Sequence, residues 1–376
     1  MTIYSGAGGA PFVGSIAVSG GVISRVVAGS QRNMMAAQTV DGAGRYLTPG
    51  LWDMHAHVRA STDRAPLVEP FLMYGVTSIR DLGGYIEPIK ALQAEIALGA
   101  PGPTFYSSYT TLNGKAFAPF QRAVTTEAES AAAIDALARA GAVQIKIHRA
   151  LAPQMLPVVL RQAHERGLSL TGHIPLGVHP LTACELGMDG IEHVGSFIES
   201  YVSAVAGAKV DDAVAYMLSD AALPLYKCLA SRGVEVTPTL VVYQAVARAR
   251  AKGGALPEGA ADFIRNMGLI ALRLHREGVT LLSGADTSDL ESLPLAPGAS
   301  LLDELELLQQ AGIPARDIIA IATINAARTL GAEARTGSIE VGRSADFLLL
   351  RGDPGEDVRR FRDEAEIYRA GKRVMH

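Results

Sequence analysis

The chain has 376 residues, 48% of them hydrophobic and 19% charged, with a formal net charge of −4. That composition excludes a disordered chain and gives no basic footprint for nucleic acid, and the length allows one large α/β domain with a smaller companion. No run reaches the ~18 apolar residues of a membrane span. The first residues lack the basic start and apolar core of a secretion signal, so the cytoplasm is the expected compartment, although a leader trimmed earlier would leave the same sequence.

Residues 13–29, "VGSIAVSGGVISRVVAG", and 39–50, "TVDGAGRYLTPG", read as short strands with hairpin turns at Gly20-Gly21 and Asp41-Gly42. Residues 336–353 and 365–376, "TGSIEVGRSADFLLLRGD" and "AEIYRAGKRVMH", have the same character. The two ends are therefore expected to pair into one small β-sandwich domain, residues 1–48 with 337–376, around a larger unit at 49–336.

Within that unit, eight strand-like runs alternate with helical patterns: "GLWDMHAHV", "VTSIRDLG", "TFYSSYTTL", "AVQIKIHRA", "LSLTGHIP", "GIEHVGSF", "VEVTPTLVVY" and "VTLLSGADT". Helices are expected at 86–98, 127–140 and 154–166. Such alternation predicts a parallel sheet with helices outside, and eight units fit a closed (β/α)8 barrel. An open doubly wound sheet is the second choice, and no G-x-G-x-x-G after a strand supports it. Of the two long connections, 198–234 is expected to hold extra helices near the barrel mouth, and 244–276 mostly one ordinary barrel helix. Cys184 and Cys228 form no disulfide framework and are expected to be ordinary buried thiols.

The polar residues at the strand ends carry the chemistry. The first strand ends in His55-x-His57, and alternation sends both imidazoles to one side. The fourth offers Lys146, the fifth His173, the sixth His193 and the eighth Asp286. In a barrel these ends converge on one mouth. Each alone has a plainer reading, a rim histidine or a helix cap, but together they form a converging ligand set. Imidazole with carboxylate suits zinc, iron, manganese or nickel. Lys146 sits inside an apolar strand, where a lone ammonium is costly. As an ammonium it cannot ligate a cation, whereas its carbamate is a bidentate anion able to bridge two. His148 shares the lysine's face, Arg149 is placed to fork a substrate carboxylate, and Tyr109 and Tyr243 are candidate donors to an oxyanion. Asp53 is expected to orient the ligands from one layer deeper, and Arg80 with Asp81 to form an ion pair under the site. His164-Glu165 is followed by Arg-Gly, so no zincin helix exists, and no G-x-S-x-G supplies a serine elbow.

These residues and their flanks, "PGLWDMHAH", "GVTSIRDLGG", "AHERGLSLTGHIP", "ELGMDGIEHV", "ATINAARTLG" and "GSIEVGRSADFLLL", resemble the binuclear amidohydrolase superfamily nearly end to end. Within it the chain is most similar to the imidazolonepropionase-like and prolidase-like group, which includes Xaa-Pro dipeptidases and carboxypeptidases. The resemblance implies that His55, His57 and Asp286 bind the more buried of two divalent metals, zinc above all. It implies that His173 and His193 bind the other and that Lys146, carboxylated on its side-chain nitrogen, bridges them. A metal-bridging hydroxide would then cleave an amide or peptide C–N bond of a dipeptide or N-acyl amino acid, with Asp286 moving the proton. The same site could instead act on esters, lactones or phosphotriesters. A mononuclear deaminase or cyclic amidohydrolase and a noncatalytic scaffold stand further off. A small-molecule substrate is the expected partner, with no nucleic acid and no membrane, and a homo-oligomer is expected by analogy.

Overall fold

The computed structural model describes residues 1–29, 36–58, 65–118, 120–288 and 295–374, with the side chains of 65–67 and 288 left aside. Ser30 to Met35, expected in the small domain, and the terminal Met375 and His376 of the expected last strand lie outside the described residues.

Apolar alternation builds the first barrel strand, Leu51–His57. Trp52 and Met54 pack outward with Leu282 and the helix Ile324–Thr329, so Asp53, His55 and His57 face the interior. The second and third strands, Val76–Asp81 and Thr104–Ser107, add in parallel. The fourth to eighth, Gln144–Ile147, Ser169–Gly172, Gly190–Glu192, Glu235–Thr237 and Thr280–Leu281, continue in parallel order. Two seams close the ring: Val143 N–H donates to Ser107 O at 3.0 Å, and Met54 N–H to Ser283 O at 2.8 Å. The result is a (β/α)8 barrel. The expected third run is split. Tyr109 turns the chain with φ 53°, and Thr111–Asn113 pairs with the fourth strand instead of extending the third.

The outer helices follow the sequence closely. The helix Glu127–Ala140 starts with a capping box between Thr126 and Glu129 and stops at left-handed Gly141. The helices expected at 86–98 and 154–166 run over Ile86–Ala97 and Leu156–His164. The connection from 198 holds an extra helix, Val210–Leu218, before the barrel helix Leu223–Arg232. The connection from 244 is not one helix. Leu240–Ala251 and Ala260–Arg276 are separate, because "KGGALPEG" supplies three glycines and a proline between them.

The chain ends form the small β-sandwich. Its strands run in the order Lys372–Arg373, Glu366–Arg369, Phe347–Leu350, Tyr46–Pro49, Thr2–Ile3, Phe12–Ser19 and Val22–Ala28. The sheet curls: Ile23 N–H donates to Arg343 O, and Gly371 N–H to Ala345 O, so 343–345 touches both edges. Ile3, Ile23, Leu47, Phe347 and Leu349 fill its core. Gly20-Gly21 turns a hairpin as expected, whereas Asp41-Gly42 does not. The strand after it, Tyr46–Pro49, pairs with Thr2–Ile3 and Phe347–Leu350.

The cysteines also depart from expectation. The helix Pro180–Leu186 packs beside Leu223–Arg232 and brings the Cys184 and Cys228 Cα atoms to 6.3 Å, where they form a disulfide. Among the described residues no helix is long and apolar enough to cross a membrane.

Candidate metal centre

The strand ends converge as alternation predicts. His57 Nε2 lies 3.2 Å from Asp286 Oδ1 and His55 Nε2 lies 3.3 Å from the same oxygen. The three side chains offer donor atoms within 4.8 Å of one another. The His193 ring lies 4.6 Å from that of His55 and 4.6 Å from that of His173, and the His148 ring lies tilted against that of His173 at 4.2 Å. Lys146 stands fully buried on the fourth strand, close enough for its charge to act on His55, His148, His173 and His193.

Close strand packing makes this possible. A side chain on Gly284 would meet His55 Cβ at 2.8 Å, and one on Gly172 would meet Ile147 O at 2.1 Å. His193, Thr239 and Asp286, at the ends of three strands, hold φ of 67°, 50° and 53°. Such left-handed non-glycine residues are uncommon and gather at functional sites.

Among the described residues, several buried nitrogens in this cluster have no hydrogen-bond partner: Lys146 Nζ, His55 Nε2, His148 Nδ1 and His173 Nδ1. His55 Nε2 is within ion-pair distance of Asp286 yet not aligned as a hydrogen bond, as fits two donors aimed at a third point. Unsatisfied buried polar atoms are rare in proteins, and these are lone-pair or amine nitrogens of metal-ligand type. The donor set therefore fits divalent cations. Burial holds the imidazoles neutral, the state in which they ligate: His193 is pushed down to about 4, His148 to about 3, and His55 and His173 well below the usual range. Burial likewise lowers Lys146 to about 8, nearer the neutral amine.

Beneath the cluster lies a buried polar network that the sequence reading missed. Glu192 Oε2 is 2.7 Å from His55 Nδ1, and Glu192 Oε1 accepts from Arg80 at 2.6 Å and Thr171 at 2.7 Å. Arg80 also donates to Met54 O, Gln144 Oε1 and Thr237 Oγ1. Burial alone would raise Glu192, but the Arg80 charge prevails and holds it well below the usual carboxylate range. Arg80 thus pairs with Glu192 and not with Asp81. Neighbouring strand residues point to opposite faces, and Asp81 instead accepts from Val58 N and Ser107 Oγ. Among the described residues, Asp53 makes no hydrogen bond to an imidazole. Its carboxylate holds backbone, accepting from His55 N at 3.1 Å and Ala285 N at 3.0 Å. A signal for Glu192 existed: like Lys146, it is a charged residue inside an apolar strand.

The outer candidates are less gathered. Tyr243 Oη accepts from Gly195 N at 2.6 Å, two residues beyond His193. Tyr109 is buried and donates to Gln93 Oε1 at 3.1 Å on the helix Ile86–Ala97. Arg149 is exposed and paired with both oxygens of Glu199, at 2.9 and 3.1 Å.

A closed parallel barrel with a terminal β-sandwich and imidazoles converging on its mouth defines a class of barrel hydrolases that use divalent metals. Residues 46–372 match the amidohydrolase family, and the chain belongs to that family. It is a hydrolytic enzyme acting on C–N bonds. The chain is 28% identical over 398 aligned positions to the imidazolonepropionase of Mesorhizobium japonicum, covering 96% of this chain and 90% of that one. Its fold is similar to that of a Xaa-Pro dipeptidase with bound methionine in the active site (TM-score 0.76, 21% identity, covering 100% and 98% of the two chains). It is also similar to that of A. niger ochratoxinase (TM-score 0.74, 21% identity, covering 99% and 93%).

Proposed function

We propose that the chain is a two-metal hydrolase of amide or peptide bonds in dipeptides or N-acyl amino acids, with residues 49–336 as its catalytic domain. The observation that carries this reading is the set of unpartnered buried nitrogens on Lys146, His55 and His173 around the His55–His57–Asp286 group. His55, His57 and Asp286 would hold one cation, His173 and His193 a second, and Lys146 would contact both. For that role Lys146 adds its neutral amine to CO2, giving a carbamate and releasing one proton. The resemblance to lysine-bearing two-metal members, and the likeness to a Xaa-Pro dipeptidase, support this over a mononuclear deaminase.

Bound divalent cations, zinc foremost, would supply Lewis-acid polarisation of the scissile carbonyl and activation of water. The chain's own groups do the rest. Asp286 takes the proton released by the attacking water and returns it to the leaving amine. Burial raises the Tyr243 hydroxyl above its ordinary range, so it stays protonated and can donate to the carbonyl oxygen as charge develops there. Release of Arg149 from Glu199 would free its fork for a substrate carboxylate.

Elemental analysis of protein purified without chelator and with bicarbonate tests the reading. About two ions per chain are expected, with turnover of dipeptides or N-acyl amino acids above that of esters and lactones. One ion per chain would point to the mononuclear branch, and none after reconstitution would overturn the two-metal reading.

A further inference from the structure

We infer that Glu192 is a positioning residue that selects the tautomer of His55, locking the ring proton on Nδ1 so that the Nε2 lone pair faces the metal centre. The inference rests on the reading of His55 as a ligand, and it concerns groups that touch no substrate.

The argument is one of donors and acceptors. Glu192 Oε1 already accepts two hydrogen bonds, from Arg80 at 2.6 Å and Thr171 at 2.7 Å. Arg80 is fully buried, and the chain meets it with four acceptors: Met54 O, Gln144 Oε1, Thr237 Oγ1 and Glu192 itself. The carboxylate therefore cannot rotate without stranding a guanidinium N–H. That fixes Oε2 against His55 Nδ1 at 2.7 Å. A carboxylate oxygen only accepts, so the imidazole must donate there. The neutral ring then has no proton on Nε2, the atom 3.3 Å from Asp286 Oδ1 and without a hydrogen-bond partner. Histidine ligands are commonly oriented by such a carboxylate on the far nitrogen, and here it comes from the residue immediately before His193, a candidate ligand of the other cation. One short strand thus supplies a ligand to the mouth and the tautomer lock for another ligand.

Glu192→Gln inverts the polarity with almost no change of shape. Arg80 and Thr171 both donate, so they take the amide oxygen, and the amide N–H is left facing His55. His55 must then accept on Nδ1, which moves its proton to Nε2 and toward the cation.

The test uses the full-length chain with 15N-labelled histidine, with the His55 signal assigned by its loss in His55→Gln. In metal-free wild type, the protonated nitrogen is expected to be Nδ1; in E192Q it is expected to be Nε2. Zinc affinity, read by competition with a chromophoric chelator, is expected to fall by about 10- to 100-fold in E192Q, with native circular dichroism retained. A proton on Nε2 in the wild type overturns the inference, and this holds even where E192Q does not fold. A tautomer unchanged in a folded E192Q overturns it as well. A tautomer that flips while zinc affinity stays unchanged supports the lock and removes His55 from the metal site, so the two readings fail separately.

Discussion

His193 Nδ1 lies 2.7 Å from Thr239 Oγ1, and the same hydroxyl donates to Pro238 O at 2.8 Å. With its proton committed to the carbonyl, the hydroxyl can only accept from His193, which leaves the His193 Nε2 lone pair for a cation. Thr239→Ala removes that acceptor and leaves the backbone alone. We expect zinc affinity to fall by about 10-fold, while Thr239→Ser stays near wild type. Equal chelator competition for the alanine variant and wild type would count against the role of His193 as a ligand.

Lys146 gives opposite predictions for function and stability. Its amine is buried without a hydrogen-bond partner among the described residues, an arrangement that costs free energy unless a bound group satisfies it. Lys146→Met replaces it with an apolar chain of similar length. The metal-free variant should be more stable by about 1–3 kcal/mol, on the scale of an unsatisfied buried group. It should also hold one metal fewer and lose more than about 100-fold in kcat, the scale of losing a group that stabilises charge in the transition state. Urea unfolding, elemental analysis and turnover read the three effects. Wild-type turnover in the methionine variant would sink the carbamate role.

The disulfide makes a separate claim. Cys184 and Cys228 are 44 residues apart, and closing a loop of that length stabilises by roughly 4 kcal/mol in the chain-entropy account. Reduction, or Cys184→Ser with Cys228→Ser, should lower Tm by several degrees with little change in metal content. A complete reduction that leaves Tm unmoved would deny the bridge a structural role. Because disulfides persist in oxidising surroundings, the bridge argues against the cytoplasm expected from the sequence.

What the sequence could and could not show follows from range. His55 and His57 on one face were legible because strand alternation is local, and so were the helix Glu127–Ala140 with its Thr126 cap and the eight alternating runs. The partner of Arg80 was not, since Glu192, Gln144 and Thr237 come from three other strands whose register no local pattern encodes. The Cys184–Cys228 pairing depends in the same way on how two helices pack. The break of the third run at Tyr109 needed a left-handed residue that is not glycine, which propensity does not foresee.

Two buried acids outside the candidate ligand set give a pH dependence of stability. Glu304 is fully buried; its Oε2 accepts from Val241 N at 2.8 Å, while its Oε1 has no hydrogen-bond partner among the described residues. Burial raises it to about 8, and burial raises Glu235 to about 7. In the unfolded chain both titrate near the ordinary value of about 4.3. Between that value and the folded one, the folded state binds more protons, so stability falls as pH rises. The contribution is fully present below about pH 4 and is lost through pH 7 to 8. Glu304→Gln removes one such proton. The stability of Glu304→Gln relative to wild type should therefore improve by on the order of 1 kcal/mol per pH unit between about pH 5 and 8. Urea unfolding of both proteins across that range checks it, and a difference that does not vary with pH would mean that Glu304 is ionised in the folded protein.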